Sequence, residues 1–346
     1  MNIKKTLLYL VIAGLFATLF TPLLVSGGLF FPYITGKAFF FRVVVEIIAG
    51  LWVVLALVDK SYAPKKSWIF YAVSFFAVIT LIADIFGENP YKAFWSNYER
   101  MEGWVTIAHL FLYFLVVGAV LVKEKLWERF FQTSIAVSVI TCFFAISQLF
   151  KNGLSYRADG PLGNPIYLAV YLLIHIFILL FFIFKDEKKI FQNPIHYLYT
   201  LVIIFEGIIL YFTQTRGTVA GLFVGFLVTA LCVAIAERKN RTLQYSAIGI
   251  IAFLVLVSAT FYGIRNTSFV QHNAILSRFA SVFTELEKIT NPGDKKIARY
   301  YVWDMAIQGV KEHPVLGWGQ EGFNLVFNKY YDPNMYDQEQ WFDRTH

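Results

Sequence analysis

The sequence predicts an all-α polytopic membrane protein with about nine transmembrane helices and one large extracytoplasmic loop carrying a short helix. Three observations predict it. The 346 residues are 58% hydrophobic and only 15% charged, with a mean hydropathy of +0.57, outside the range of a soluble globular domain. Apolar runs of roughly 20 residues, the length a hydrocarbon core of about 30 Å demands, recur nine times before residue 265. Basic residues cluster in every second connection between those runs.

The runs are 6–26, 38–59, 67–87, 104–123, 128–150, 163–184, 195–213, 217–236 and 243–264. The first follows Lys4 and Lys5 and extends from Thr6 to Val25, too long for a signal-peptide core. Val25-Ser26-Gly27 is a poor cleavage site, so this run reads as an uncleaved helix. The chain therefore divides into a transmembrane domain, 1–264, and a loop, 265–346.

Orientation follows from the connections. One set carries Lys4 and Lys5; Lys60, Lys65 and Lys66; Lys123, Lys125 and Arg129; Lys185, Lys188 and Lys189; and Arg238, Lys239 and Arg241, fourteen of the thirty basic residues. The positive-inside rule makes this set cytoplasmic. The N-terminus is then inside, and nine crossings leave 265–346 outside. The net charge of +7 is thereby a topology signal attracted to anionic lipid, and nucleic acid is excluded as a partner. Both cysteines, Cys142 and Cys232, lie inside apolar runs, which argues against a disulfide framework and a zinc site. No metal-binding spacing and no glycine-rich nucleotide loop occurs, so neither metal nor cofactor is expected.

The outer connections hold fewer basic residues, and topology has no need of them. Arg157 sits in a shaped loop, Ser155 to Pro165, just before the sixth run. Arg216 lies in the short turn Thr213-Gln214-Thr215-Arg216-Gly217-Thr218, fixed at the membrane boundary. Arg216 alone reads equally well as a lipid-headgroup contact. Together Arg157 and Arg216 suit a diphosphate, because guanidinium groups bind phosphate oxygens bidentately. Within the runs, Arg42 and Glu46 are four residues apart and are expected to pair on one helix face. Asp84, His109, His175 and Glu206 are the other intramembrane polar groups, which mark functional sites or ion pathways by default.

In the loop, Asn291-Pro292-Gly293-Asp294 forms a turn, and a helix is predicted from about Lys296 to Glu312, ended by Pro314. Trp303, Ala306, Ile307 and Val310 share one face and are expected to pack. Arg299, in the first turn, faces either a ligand or solvent. His313, at the helix end where the dipole favours a cation, reads as structural.

These residues resemble the O-antigen ligase and O-antigen polymerase superfamily of bacterial inner-membrane glycosyltransferases. The matching elements are Trp95-Ser96-Asn97-Tyr98-Glu99-Arg100-Met101-Glu102-Gly103, then Arg157 with Gly160 and Gly163-Asn164-Pro165, and Thr215-Arg216-Gly217. Arg299 with Trp303, Pro314, Gly317 and Gly319 follows, and Trp341-Phe342-Asp343-Arg344-Thr345-His346 comes last. The resemblance implies a metal-independent, inverting transfer of a glycan from an undecaprenyl-diphosphate-linked oligosaccharide to a glycan, lipid or protein acceptor, at the outer face of the bacterial cytoplasmic membrane. It implies that Arg157 and Arg216 bind the diphosphate, that Arg299 assists, and that His346 is the catalytic histidine. Thr215 stands where the family often has Ser. The family also has Asn after the histidine and further membrane helices, so the chain is expected to be truncated before them. The rival reading is a non-enzymatic transporter or flippase of an anionic lipid or lipid-linked sugar, which would place its charges near the midplane and show repeat symmetry. No internal repeat is evident, and the arginines gather on one side.

Overall fold

The computed structural model describes residues 3–185, 193–237, 240–290, 298–337, 341, 342 and 344, with 284–290 described by their backbone alone. Among these residues the regular structure is helical throughout. A helix stands at each of the nine apolar runs: α1 (Ile3–Thr18), α2 (Thr35–Val58), α3 (Trp68–Ile85), α5 (Trp104–Val120), α6 (Glu124–Asn152), α7 (Pro165–Phe184), α8 (Pro194–Phe212), α9 (Arg216–Ala236) and α10 (Arg241–Ile264). The short α4 (Pro90–Trp95) lies between the third and fourth of them. Seven are long and apolar enough to span a bilayer; α1 and α5, at 16 and 17 residues, fall just short in length.

Their starts follow local chemistry. Asn89, Asn164 and Asn193 each cap a helix whose first residue is proline, accepting from the backbone N–H of Lys92, Ile166 and Ile195. Asparagine satisfies an orphan donor there, and proline has no N–H to leave unpaired. Ser67 and Asn240 cap α3 and α10 in the same way. Many large apolar side chains point outward, among them Leu57, Phe75, Phe253 and Leu256, the opposite of a soluble fold.

The chain forms two compact units, one of residues 1–134 with 291–346, the other of residues 135–290. In the first, Val11, Leu15, Ile48, Trp52 and Val116 join α1, α2 and α5. In the second, Cys142, Leu149, Leu168, Leu172, Ile176 and Ile209 join α6, α7 and α8.

After α10 come α11 (Ser268–His272), α12 (Ala274–Thr290), α13 (Ala298–Glu312) and α14 (Phe323–Lys329). The expected loop helix is α13, whereas the Asn291–Asp294 turn lies outside the described residues. Its packed face is not the one the spacing suggests. Tyr301, Val302 and Met305 are buried against Phe327, Met335 and Phe342, while Trp303, Ile307 and Val310 are exposed and Ala306 is half-buried. Gly309 decides this orientation, since a side chain there would meet Val326 Cγ1 at 2.6 Å. The glycine side is the one that admits α14.

The Pro314–Gly319 turn docks on the end of α3 through two glycines. A Cβ on Gly87 would lie 2.9 Å from the Trp318 carbonyl oxygen and 3.0 Å from Gly319 Cα, and Gly319 itself has φ +78°. Beside this contact, the Gln320 N–H donates to Asp84 Oδ1 at 2.7 Å. Trp318 Nε1 donates to the Gly309 carbonyl, and His313 packs edge-on against the Trp318 ring.

Candidate functional site

Three arginines converge in the unit of residues 135–290. Arg157 is brought there by the loop between α6 and α7, which is tied down at several points. Gln148 Oε1 accepts from Gly160 N at 2.8 Å, and the Ala158 N–H donates to the Phe212 carbonyl at 3.1 Å. Gln214 Nε2 donates to the Ser155 carbonyl at 3.0 Å, and Arg157 Nε donates to the Thr213 carbonyl at 3.2 Å. The turn that makes these contacts is itself buried at Thr213, Gln214 and Thr215. It holds Gln214 at φ 53°, a left-handed conformation that costs a residue with a side chain about 1–2 kcal/mol. Arg216 follows as the first residue of α9.

The third arginine, Arg278, comes from α12. Arg216 Nη1 donates to Ser281 Oγ at 2.6 Å, and that hydroxyl donates to the Arg278 carbonyl oxygen at 2.8 Å. Partial burial, then the like charges of Arg278 and Arg216, hold the Arg157 guanidinium below its ordinary pKa. Positive charges gathered this way repel one another, and an anion bound among them relieves both the repulsion and the desolvation.

Of the residues predicted from sequence, Arg157 and Arg216 are thus brought together. Arg299 is exposed in the first turn of α13, and His346 lies outside the described residues. Arg278 was missed because α12 carries no membrane-length apolar run. Its signal was the helical spacing of Ile275, Phe279 and Val282, which marks an amphipathic helix across 274–290.

The intramembrane polar groups have local partners. Arg42 and Glu46 interact through charge, as expected, but their hydrogen bonds go to other partners. Arg42 Nη2 donates to the Met101 carbonyl at 2.6 Å and to Thr106 Oγ1 at 2.7 Å, and Glu46 Oε1 lies 3.0 Å from His109 Nε2. His109 Nδ1 faces the Val105 carbonyl at 2.6 Å. A carbonyl only accepts, so the ring nitrogen that faces it is the donor in that contact. Buried Glu206 accepts from Ser138 Oγ at 2.5 Å. Two open hollows of about 300 and 390 Å³ border Asp84, and neither is lined by an arginine. Among the described residues no group of three or more His, Cys, Asp or Glu could hold a metal ion.

No curated protein and no solved structure matches the chain significantly. Residues 199–346 match the family model described as O-antigen ligase. That segment includes Arg216, Arg278, Arg299 and His346. The match therefore supports, on the C-terminal part of the chain, the O-antigen ligase/polymerase superfamily, whose activity is of the membrane glycosyltransferase type.

Proposed function

We propose that the protein transfers a glycan from an undecaprenyl-diphosphate-linked donor to an acceptor hydroxyl at the outer face of the cytoplasmic membrane. The N-terminus and the lysine-rich connections face the cytoplasm, and residues 265–346 lie outside. The observation that carries this reading is the group formed by Arg157, Arg216 and Arg278, where burial and like charge together depress the Arg157 pKa. Three guanidinium groups suit the two phosphates of a polyprenyl diphosphate and the charge that grows on them as the glycosidic bond breaks.

The reaction is one inverting displacement. His346 takes the proton of the acceptor hydroxyl, and the acceptor oxygen forms its bond to the anomeric carbon. The bond from that carbon to the diphosphate oxygen breaks on the opposite face, and undecaprenyl diphosphate leaves into the arginine group. The family resemblance gives Arg299 an assisting role. Imidazole titrates near neutral pH, which suits a general base worth roughly 10²–10⁴-fold. The acceptor is a glycan, a lipid or a protein.

The transporter reading is less well supported. Glu206 and Glu46 are engaged by Ser138 and His109, and Arg157 and Arg216 sit in a loop and at the start of a helix. The test is transfer from purified undecaprenyl-diphosphate-linked oligosaccharide in liposomes. Alanine at Arg157 or Arg216 is expected to abolish product formation, whereas unchanged transfer would defeat the assignment.

A further inference from the structure

The connection between α4 and α5, the glycine turn after α13 and the C-terminal segment are joined at one side chain. Arg344 donates from Nη1 to Glu102 and from Nη2 to Glu321. Glu321 is nearly enclosed, with a side chain 5% exposed, while the Glu102 side chain is 44% exposed. A buried carboxylate without a cation is strongly disfavoured, so the enclosed Glu321 has a specific demand for this guanidinium.

Both carboxylates are set in place independently of Arg344. Met101, the residue before Glu102, has its carbonyl held by Arg42 Nη2 and by Thr106 Oγ1, each within 2.7 Å. The carbonyl of Glu321 accepts from Lys92 Nζ at 3.2 Å, and the preceding N–H, that of Gln320, is fixed on Asp84. Met101 and Glu321 have φ of 54° and 57°, left-handed values that only firm surroundings maintain in residues with side chains. Two residues before Arg344, Phe342 is buried with Phe327, Tyr301 and Met335. The segment is thus pinned twice, by an apolar anchor at 342 and a bidentate ionic one at 344. His346 is two residues further on in the sequence.

We propose that Arg344 is a positioning residue: by bridging Glu102 and Glu321 it fixes the segment that presents His346 to the acceptor. The inference rests on the glycosyl-transfer reading above, in which His346 is the base. It gives one physical reason for three motifs with no chemistry of their own, namely Met101-Glu102-Gly103, Gly317 to Glu321 and Trp341 to Arg344. A guanidinium serves because one planar fork reaches two carboxylates, and an ammonium is a point charge.

The test measures steady-state transfer by the full chain in liposomes, using undecaprenyl-diphosphate-linked oligosaccharide as donor and the acceptors in extracted bacterial envelope lipid. Arg344→Ala is expected to lower kcat about 10- to 100-fold, the scale of a misplacement near 1 Å, with donor KM changed less than about threefold. Arg344→Lys is expected to recover part of the loss. Because Arg344 acts through His346, Arg344→Ala added to His346→Ala is expected to cause no further loss. Wild-type kcat in Arg344→Ala, a loss confined to KM, or an additive loss in the double variant would each overturn the proposal. Should Arg344→Ala not accumulate, Glu102→Gln decides, since it removes one exposed contact and leaves Glu321 paired. A lowered kcat at normal abundance supports the clamp, and an unchanged kcat rejects it. His346→Ala separates the two claims: full activity there defeats the base assignment itself, while an inactive His346→Ala beside a fully active Arg344→Ala defeats the clamp alone.

Discussion

The guanidinium of Arg216 donates to Ser281 Oγ at 2.6 Å, tying the first residue of α9 to a helix that begins 58 residues later in the chain at Ala274. The same hydroxyl donates to the Arg278 carbonyl, so one serine links two of the three clustered arginines. Ser281→Ala is expected to weaken donor binding without abolishing transfer. A hydrogen bond to a charged group is worth about 1.5–3 kcal/mol, an upper bound here because Arg216 keeps its charge. Donor KM measured in liposomes is expected to rise by up to tenfold with kcat retained; an unaltered KM would show that Ser281 does not orient the guanidinium.

Arg216→Lys keeps the charge and removes the fork. Removing one preorganised donor to a developing anion costs about 2.7–4 kcal/mol, roughly a hundred- to thousandfold in rate. Arg216→Ala is expected in that range, with Arg216→Lys impaired nearly as much because an ammonium lacks bidentate geometry. Single-turnover rates check this, and wild-type rates in the lysine variant would reduce the role of Arg216 to simple charge.

Gly87→Ala addresses the scaffold. Its new methyl would meet the backbone of Trp318 and Gly319 at about 3 Å, and backbone has less freedom to yield than a flexible side chain. Overpacking of this kind costs about 1–3 kcal/mol. The variant is expected to melt earlier in detergent and to expose Trp318, read by its fluorescence. An unshifted melting curve would mean that the turn does not dock on α3.

Topology is open to direct labelling in intact cells. A cysteine at Asn266 is expected to react with an impermeant maleimide, and one at Ser61 only after permeabilisation. The reverse pattern would invert the molecule.

The helices at the nine apolar runs were legible because burial in lipid leaves the plainest signal a sequence can carry, a long apolar run, and seven of them are long enough to span. Arg157 and Arg216 were legible as departures from the charge bias of the connections. The site's third arginine was not. Arg278 stands on a helix whose polar residues alternate with apolar ones, a pattern that does not distinguish a site from a solvated face. The i,i+4 spacing of Arg42 and Glu46 told of neighbours on one helix, which interact through charge, but not that Thr106 and His109 on α5 take up their hydrogen bonds. The packed face of α13 was misread for a related reason. Apolar residues line both sides of it, and the deciding residue, Gly309, contributes no hydrophobic signal.

The central claim is that the arginine group receives a lipid diphosphate leaving group. Its most direct test is the release of undecaprenyl diphosphate from purified undecaprenyl-diphosphate-linked oligosaccharide in liposomes that also contain envelope lipid acceptors. The wild-type protein is compared with Arg157→Ala, Arg216→Ala and Arg278→Ala. The account predicts release coupled to glycan transfer in the wild type and a loss of at least about a hundredfold in the Arg157 and Arg216 variants, with a smaller loss for Arg278. Equal release by wild type and both of those variants would contradict it.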